Sequence, residues 1–191
     1  MLHAGYHYSV PFLQEGIVDT TRSHVRTLYQ HLFTLEHGPS LSFIGLNFKI
    51  TPFPQFELQC KYIARMLSGR VQLPPTKQLE SWVHDHYTFA QEAGVADRHM
   101  HRQGEAQWKY NDWLAEQCGP DVEKSQQWRI DLWSAARRIK LENASDVYRD
   151  VWDDPGAAER AQTALARRFA ENASNSLQEC TKSDVVAVSQ L

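Results

Sequence analysis

The stretch from Leu41 to Gly69 constrains the chain most. It opens with a β-favouring run, Leu41-Ser42-Phe43-Ile44-Gly45-Leu46, and crosses an irregular segment punctuated by Pro52 and Pro54. From about Pro54 the spacing turns helical, with Phe56, Leu58, Ile63, Met66 and Leu67 supplying an apolar face. Pro54 suits the first turn, where a missing N–H costs nothing, and Gly69 is placed to close the helix as its C′ residue. The spacing therefore predicts a strand over 41–46 and a helix over 54–68. A strand that runs through a turn into a helix gathers unpaired backbone N–H groups at one point, and these can face an electron-rich ligand edge. Most such junctions bind nothing.

Further helical patterns follow. One is expected over 77–93, with Leu79, Trp82, Val83, His86, Phe89 and Ala90 on one face and Gly94 at its end. Another is expected over 105–118, carrying Ala106, Tyr110, Trp113, Leu114 and Gln117 and closed by Gly119-Pro120, and a third over 122–139 through Trp128, Leu132, Ala135 and Ile139. A final Ala/Arg-rich helix is expected from Pro155 to about Phe169, with a polar tail after Asn172. Before the main stretch, Tyr6 to Val10 is β-like and needs neighbouring strands that the chain hardly offers, while Val25, Leu28, Leu32 and Phe33 form an apolar side. Helices dominate, so the aromatic stripes read first as packing.

Charge and composition remove several functional classes. The net charge of −3 arises from 20 basic and 23 acidic residues that are interspersed, so no basic face exists for nucleic acid or an anionic membrane. No apolar run reaches the ~20 residues a membrane span needs, and the N-terminal residues lack the apolar core of a signal segment. A soluble, cytoplasmic protein is expected. Cys60, Cys118 and Cys180 are far apart and fit free thiols. His84 and His86, two apart on a helix, point to different sides and cannot share a metal ion. His99 and His101 could meet a metal only with further convergent ligands, so no metal site is expected.

Specific residues carry more than the pattern. Ser42-Phe43-Ile44-Gly45, then Phe53-Pro54-Gln55-Phe56-Glu57-Leu58-Gln59, then Leu67 to Pro74 resemble the C-terminal part of the flavin-containing monooxygenases, particularly of the plant and fungal type. Upstream, Ala4-Gly5-Tyr6 with Pro11-Phe12-Leu13 resembles the end of that family's ATGY strand, and Leu28-Tyr29-Gln30-His31-Leu32-Phe33 its LY-H-F segment. Downstream, Gln107 to Ala115 and Tyr148-Arg149-Asp150 fit as well, so the resemblance runs in order from about residue 3 to 154. Ala4 departs from the pattern where the family more often has Thr, while Gly5 keeps the close backbone approach.

The resemblance implies an α/β fragment, mainly helical: a few N-terminal strands followed by a helical region, from a flavoprotein with two dinucleotide-binding domains. Residues 1–75 would end the FAD-binding domain, 76–154 would form a helical cap, and 155–191 a helix and flexible tail. It implies FAD and NADPH as cofactors, and oxygenation of soft nitrogen or sulfur nucleophiles by O₂ through a C4a-hydroperoxyflavin. Gly5, Pro54, Gln55 and Gln59 would be the cofactor contacts, with the two amides offering donor and acceptor to the pyrimidine end of the flavin. From the residues alone, Gln55 and Gln59 could equally lie on a solvated helix face. No catalytic residue is expected within the chain.

Two glycine-rich turns do most of the dinucleotide binding in such enzymes. Here no two glycines are separated by a single residue, so G-x-G-x-x-G cannot be written anywhere. The chain taken alone is therefore expected to be inactive. The alternative is a truncated, non-catalytic fragment or a helical interaction module that binds no dinucleotide.

Overall fold

The computed structural model describes residues 8–142 together with scattered helical positions between 156 and 170. Gly5, Cys180, the polar tail and most of the helix expected from Pro155 lie outside the described residues. Contact clustering divides the chain into two compact units, residues 1–124 and 125–191.

In the first unit a two-stranded antiparallel hairpin, β1 (Leu28–Tyr29) and β2 (Phe33–Thr34), precedes three helices. These are α1 (Pro52–Leu67), α2 (Thr76–Glu92) and α3 (Gln107–Cys118). Single 3₁₀ turns at Asp97–His99 and Gly104–Ala106 join α2 to α3. The mainly helical architecture with few strands agrees with the sequence, and the bounds of the three helices shift by at most two residues.

The hairpin turn is left-handed, with Gln30 at φ 52° and His31 at φ 61°, and Leu32 N–H returns to the Tyr29 carbonyl at 3.0 Å. Two positive φ values match the twist of adjacent strands, but they are uncommon for residues other than glycine. Tertiary contacts hold this turn: the Tyr110 hydroxyl donates to the Gln30 carbonyl at 2.7 Å, and the His31 ring enters a buried cluster.

α1 buries Gln55, Gln59, Tyr62, Ile63 and Met66, which recur at helical spacing. α3 answers with Gln107, Tyr110, Asn111, Leu114, Ala115 and Cys118, and these two helices form the main interface of the unit. Tyr29, Leu32 and Phe33 from the hairpin and Leu79 from α2 complete the core. Aromatic rings meet mainly edge to face in it, as Tyr62 does with Phe33 at 5.6 Å and with Trp113 at 5.5 Å, while Tyr110 stacks on Trp113. Arg65 ties the far ends of both helices, donating to the Cys118 carbonyl and pairing with Asp121 at 2.5 Å.

α1 ends where the sequence places its stop. Gly69 stands at φ 73°, its N–H bonds to the Met66 carbonyl and that of Arg70 to the Arg65 carbonyl, which together form a Schellman motif. Gly94 closes α2 in the same way, with Val95 N–H reaching the Ala90 carbonyl at 2.8 Å.

The strand expected over 41–46 does not form. That segment makes one isolated bridge, Phe33 to Ser42, and one backbone bond from Phe43 N–H to the Leu32 carbonyl. The only edge it meets is two residues long, and Gly45 turns the chain at φ 83°. Residues 8–10 have no regular structure either.

In the second unit α4 spans Gln127–Glu142, starting later than the 122–139 expectation. Trp128, Leu132 and Ala135 are half-buried and Ile139 is buried, so the expected stripe is the inward one.

Candidate functional site

The site develops at the N-terminal end of α1. Thr51 occupies the N-cap position in an extended conformation but makes no capping bond, and its hydroxyl oxygen is buried without a partner. Pro52 and Pro54 have no N–H and the Gln55 N–H is the first to enter the helix ladder, toward the N-cap Thr51, so the free donor of the first turn is the backbone N–H of Phe53. No acidic side chain stands in this turn to occupy it. One donor at the positive end of a helix dipole suits a carbonyl oxygen, whereas a phosphate takes more. Phe53 is 83% exposed and Pro54 is half-buried.

Beneath this end lies a network of buried amides. Gln55 is fully buried, and its Nε2 donates to Gln103 Oε1 at 2.7 Å and to Asn111 Oδ1 at 2.9 Å. Gln59 is equally buried, donating to Asn47 Oδ1 at 2.8 Å and to the Tyr110 hydroxyl at 3.4 Å while its Oε1 accepts the Gly45 N–H at 3.1 Å. Gln107 accepts the Thr51 N–H at 2.6 Å and donates to the Gly104 carbonyl at 2.8 Å. Burial pushes the Tyr110 phenol up, so it remains a donor to the Gln30 carbonyl. Neither Gln55 nor Gln59 lies on a solvated face.

This network fixes backbone more than it offers side chains. Gln59 is committed on both sides of its amide, and Gln55 has committed its nitrogen, with its Oε1 buried and unpartnered. Through Gly45, Asn47 and Thr51 the amides hold both ends of the 45–51 segment against α1 and α3. Glycine is favoured at position 45 by its positive φ, and a Cβ there would also crowd the Phe56 ring at 3.3 Å.

Sequence reasoning missed Asn47, Gln103, Gln107 and Asn111 as partners. One signal was present: Gln55/Gln59 and Gln107/Asn111 are two amide pairs with i, i+4 spacing on neighbouring amphipathic helices. Buried polar groups of this kind need one another.

A second cluster is made of histidines. His31 Nδ1 lies 3.1 Å from His101 Nδ1, so one ring donates and the other accepts. The His86 and His31 rings are 5.1 Å apart, His24 stands 5.9 Å from His101, and His86 stacks on Trp82. Burial holds His101 down to about 4, aided by nearby His24 and His86, and keeps His31 well below the usual imidazole range. His84 and His86 diverge as expected, the first exposed and the second half-buried. Among the described residues no group of three or more His, Cys, Asp or Glu side chains is placed to hold a metal ion, and no helix is long and apolar enough to cross a membrane.

A family model described as flavin-binding monooxygenase-like matches residues 1–121. Flavin-containing monooxygenase FMO GS-OX-like 4 of Arabidopsis thaliana is 39% identical over 151 residues, covering 78% of this chain and 33% of that relative. FMO GS-OX-like 2 of the same plant is 42% identical over 154 residues, covering 78% and 32%. Among solved structures, S-allyl-L-cysteine S-oxygenase from Allium sativum superposes with a TM-score of 0.80 at 38% identity, over 86% of this chain and 37% of that one. The chain thus spans about a third of the length of these relatives.

Proposed function

The chain belongs to the flavin-binding monooxygenase-like family, and from that premise we propose that it is the C-terminal part of an FAD- and NADPH-dependent enzyme that oxygenates soft sulfur or nitrogen nucleophiles with O₂. The uncapped start of α1 carries this reading, because a neutral ring edge fits its single free donor. FAD, when bound, supplies the redox and oxygen-activating chemistry. Residues 1–75 are read as the end of the FAD-binding domain and 76–154 as its helical cap.

Each residue then has a task. Phe53 offers its backbone N–H to a ring carbonyl, and Pro54 shapes the turn that follows. Gln59 holds the Gly45 backbone and Asn47, which keeps the neighbouring loop in place. Gln55 acts through Gln103 and Asn111, clamping the start of α1 to α3. Gly5 gives a further close backbone approach to the flavin. The aromatic core behind them keeps this wall rigid and dry.

A second reading is favoured by one observation: no G-x-G-x-x-G turn exists to bind a pyrophosphate. In it the chain is a non-catalytic fragment. Co-expression with the N-terminal two-thirds of the Allium S-oxygenase discriminates the two. The first reading expects the reassembled protein to retain FAD and to form sulfoxide from a thioether with NADPH. Association of the two pieces without flavin retention would leave the fragment reading standing.

A further inference from the structure

A cavity of about 520 Å³ opens between α2 and the segments on either side of it, lined by Arg22, Arg26, Val83, Tyr87, Ala90 and Met100 among others. Its floor is apolar, since Val83, Ala90 and Met100 are all buried. Its rim is cationic through Arg22 and Arg26, with the His84 ring beside them, and carries one carboxylate, Asp97.

Hydrogen bonds pin this rim in place. Thr27 N–H donates to the Tyr87 hydroxyl at 3.3 Å, which donates in turn to His24 Nε2 at 3.0 Å, while His24 Nδ1–H donates to the Arg22 carbonyl at 3.0 Å. The backbones of Arg22 and Thr27 are thereby moored to α2 through one phenol. Arg26 lies over the Tyr87 ring at 5.9 Å and spends one nitrogen on Asp19, at 2.9 Å.

Two donors are left unmatched. Arg26 Nε–H is buried without an acceptor, and Arg22 reaches Asp97 only at 3.8 Å, outside hydrogen-bond range, with both side chains more than half exposed. Guanidinium groups that line the rim of an apolar floor recognise a planar oxyanion joined to a hydrophobic body. We propose that this cavity binds a small organic carboxylate with a short apolar tail, the carboxylate between Arg22 and Arg26 and the tail against Val83, Ala90 and Met100. Asp97 is a competitor for Arg22 that the ligand displaces.

The test is calorimetric titration of the purified chain with butanoate and with butanamide, its neutral isostere. Saturable binding of butanoate, on the order of tenfold tighter than butanamide, is expected. Arg22→Gln should weaken butanoate binding severalfold and Asp97→Asn should strengthen it; both positions are exposed, so the fold tolerates the changes. Absence of saturable butanoate binding, equal binding of the two probes, or a loss of affinity in both variants would overturn the proposal.

Discussion

Acidification from pH 7 to pH 4 is expected to strip about 3 kcal/mol from the stability of the first unit through His101 alone. In the unfolded chain this imidazole takes up its proton near pH 6.5, whereas in the fold burial and the neighbouring His24 hold it down to about 4. Between those values the unfolded state binds more protons, so stability rises with pH across the window and is complete above it. His31, more deeply buried and also depressed, adds to the loss in the same direction. The pair has a further constraint: its single Nδ1–H···Nδ1 bond at 3.1 Å needs one neutral acceptor, and a second proton turns it into two opposed donors.

Urea unfolding of the purified protein at several pH values measures this directly. The midpoint should be level above about pH 7 and fall steadily from 6.5 towards 4. His101→Gln should flatten the slope by its own share and leave that of His31. Asp19 acts in a lower window. Its carboxylate is held down to about 2, chiefly by hydrogen bonds from Thr21, so its stabilisation is complete above the ordinary aspartate range and is lost only as pH falls from there towards 2. Equal stability at pH 7.5 and 4.5 would contradict the buried neutral cluster.

Gln59→Ala is expected to cost about 3 kcal/mol, a large part of the margin of a small domain. It removes the acceptor for the Gly45 N–H and the partner of Asn47 Oδ1, in a side chain whose Nδ2 is already unpaired. Asn47 is buried, so its whole amide would be left without a bond. The double replacement Gln59→Leu with Asn47→Leu should lose less than the sum of its singles, because removing both partners leaves no orphan. A Gln59→Ala protein within about 0.5 kcal/mol of the parent would show that the network is not what holds the 45–51 segment.

Helix positions and ends were legible in the sequence because they depend on local spacing: the α1 face, and Gly69 and Gly94 as closing residues, follow from single residues in order. The strand at 41–46 failed for the opposite reason. Strand formation depends on a partner, and Leu41 to Leu46 meets only the two-residue edge of the hairpin. For Gln55 and Gln59 the spacing left contact and solvated face open, since amides sit readily in either place. Gln55 finds its partners in Gln103 and Asn111, around 50 residues further on, and Gln59 finds its own in Gly45, Asn47 and Tyr110. The His31–His101 contact joins residues 70 apart, although His31 already stood within the LY-H-F segment that marks the family.

The central claim is that the start of α1 faces the flavin ring with its free backbone donor, the Phe53 N–H. Amide hydrogen exchange on the reassembled protein, read at Phe53 with and without FAD, tests it most directly. The account predicts that FAD slows exchange at Phe53, while the Gly69 amide, already bonded to the Met66 carbonyl, is unchanged. Flavin that is tightly retained while Phe53 exchanges as fast as in the flavin-free protein would contradict it.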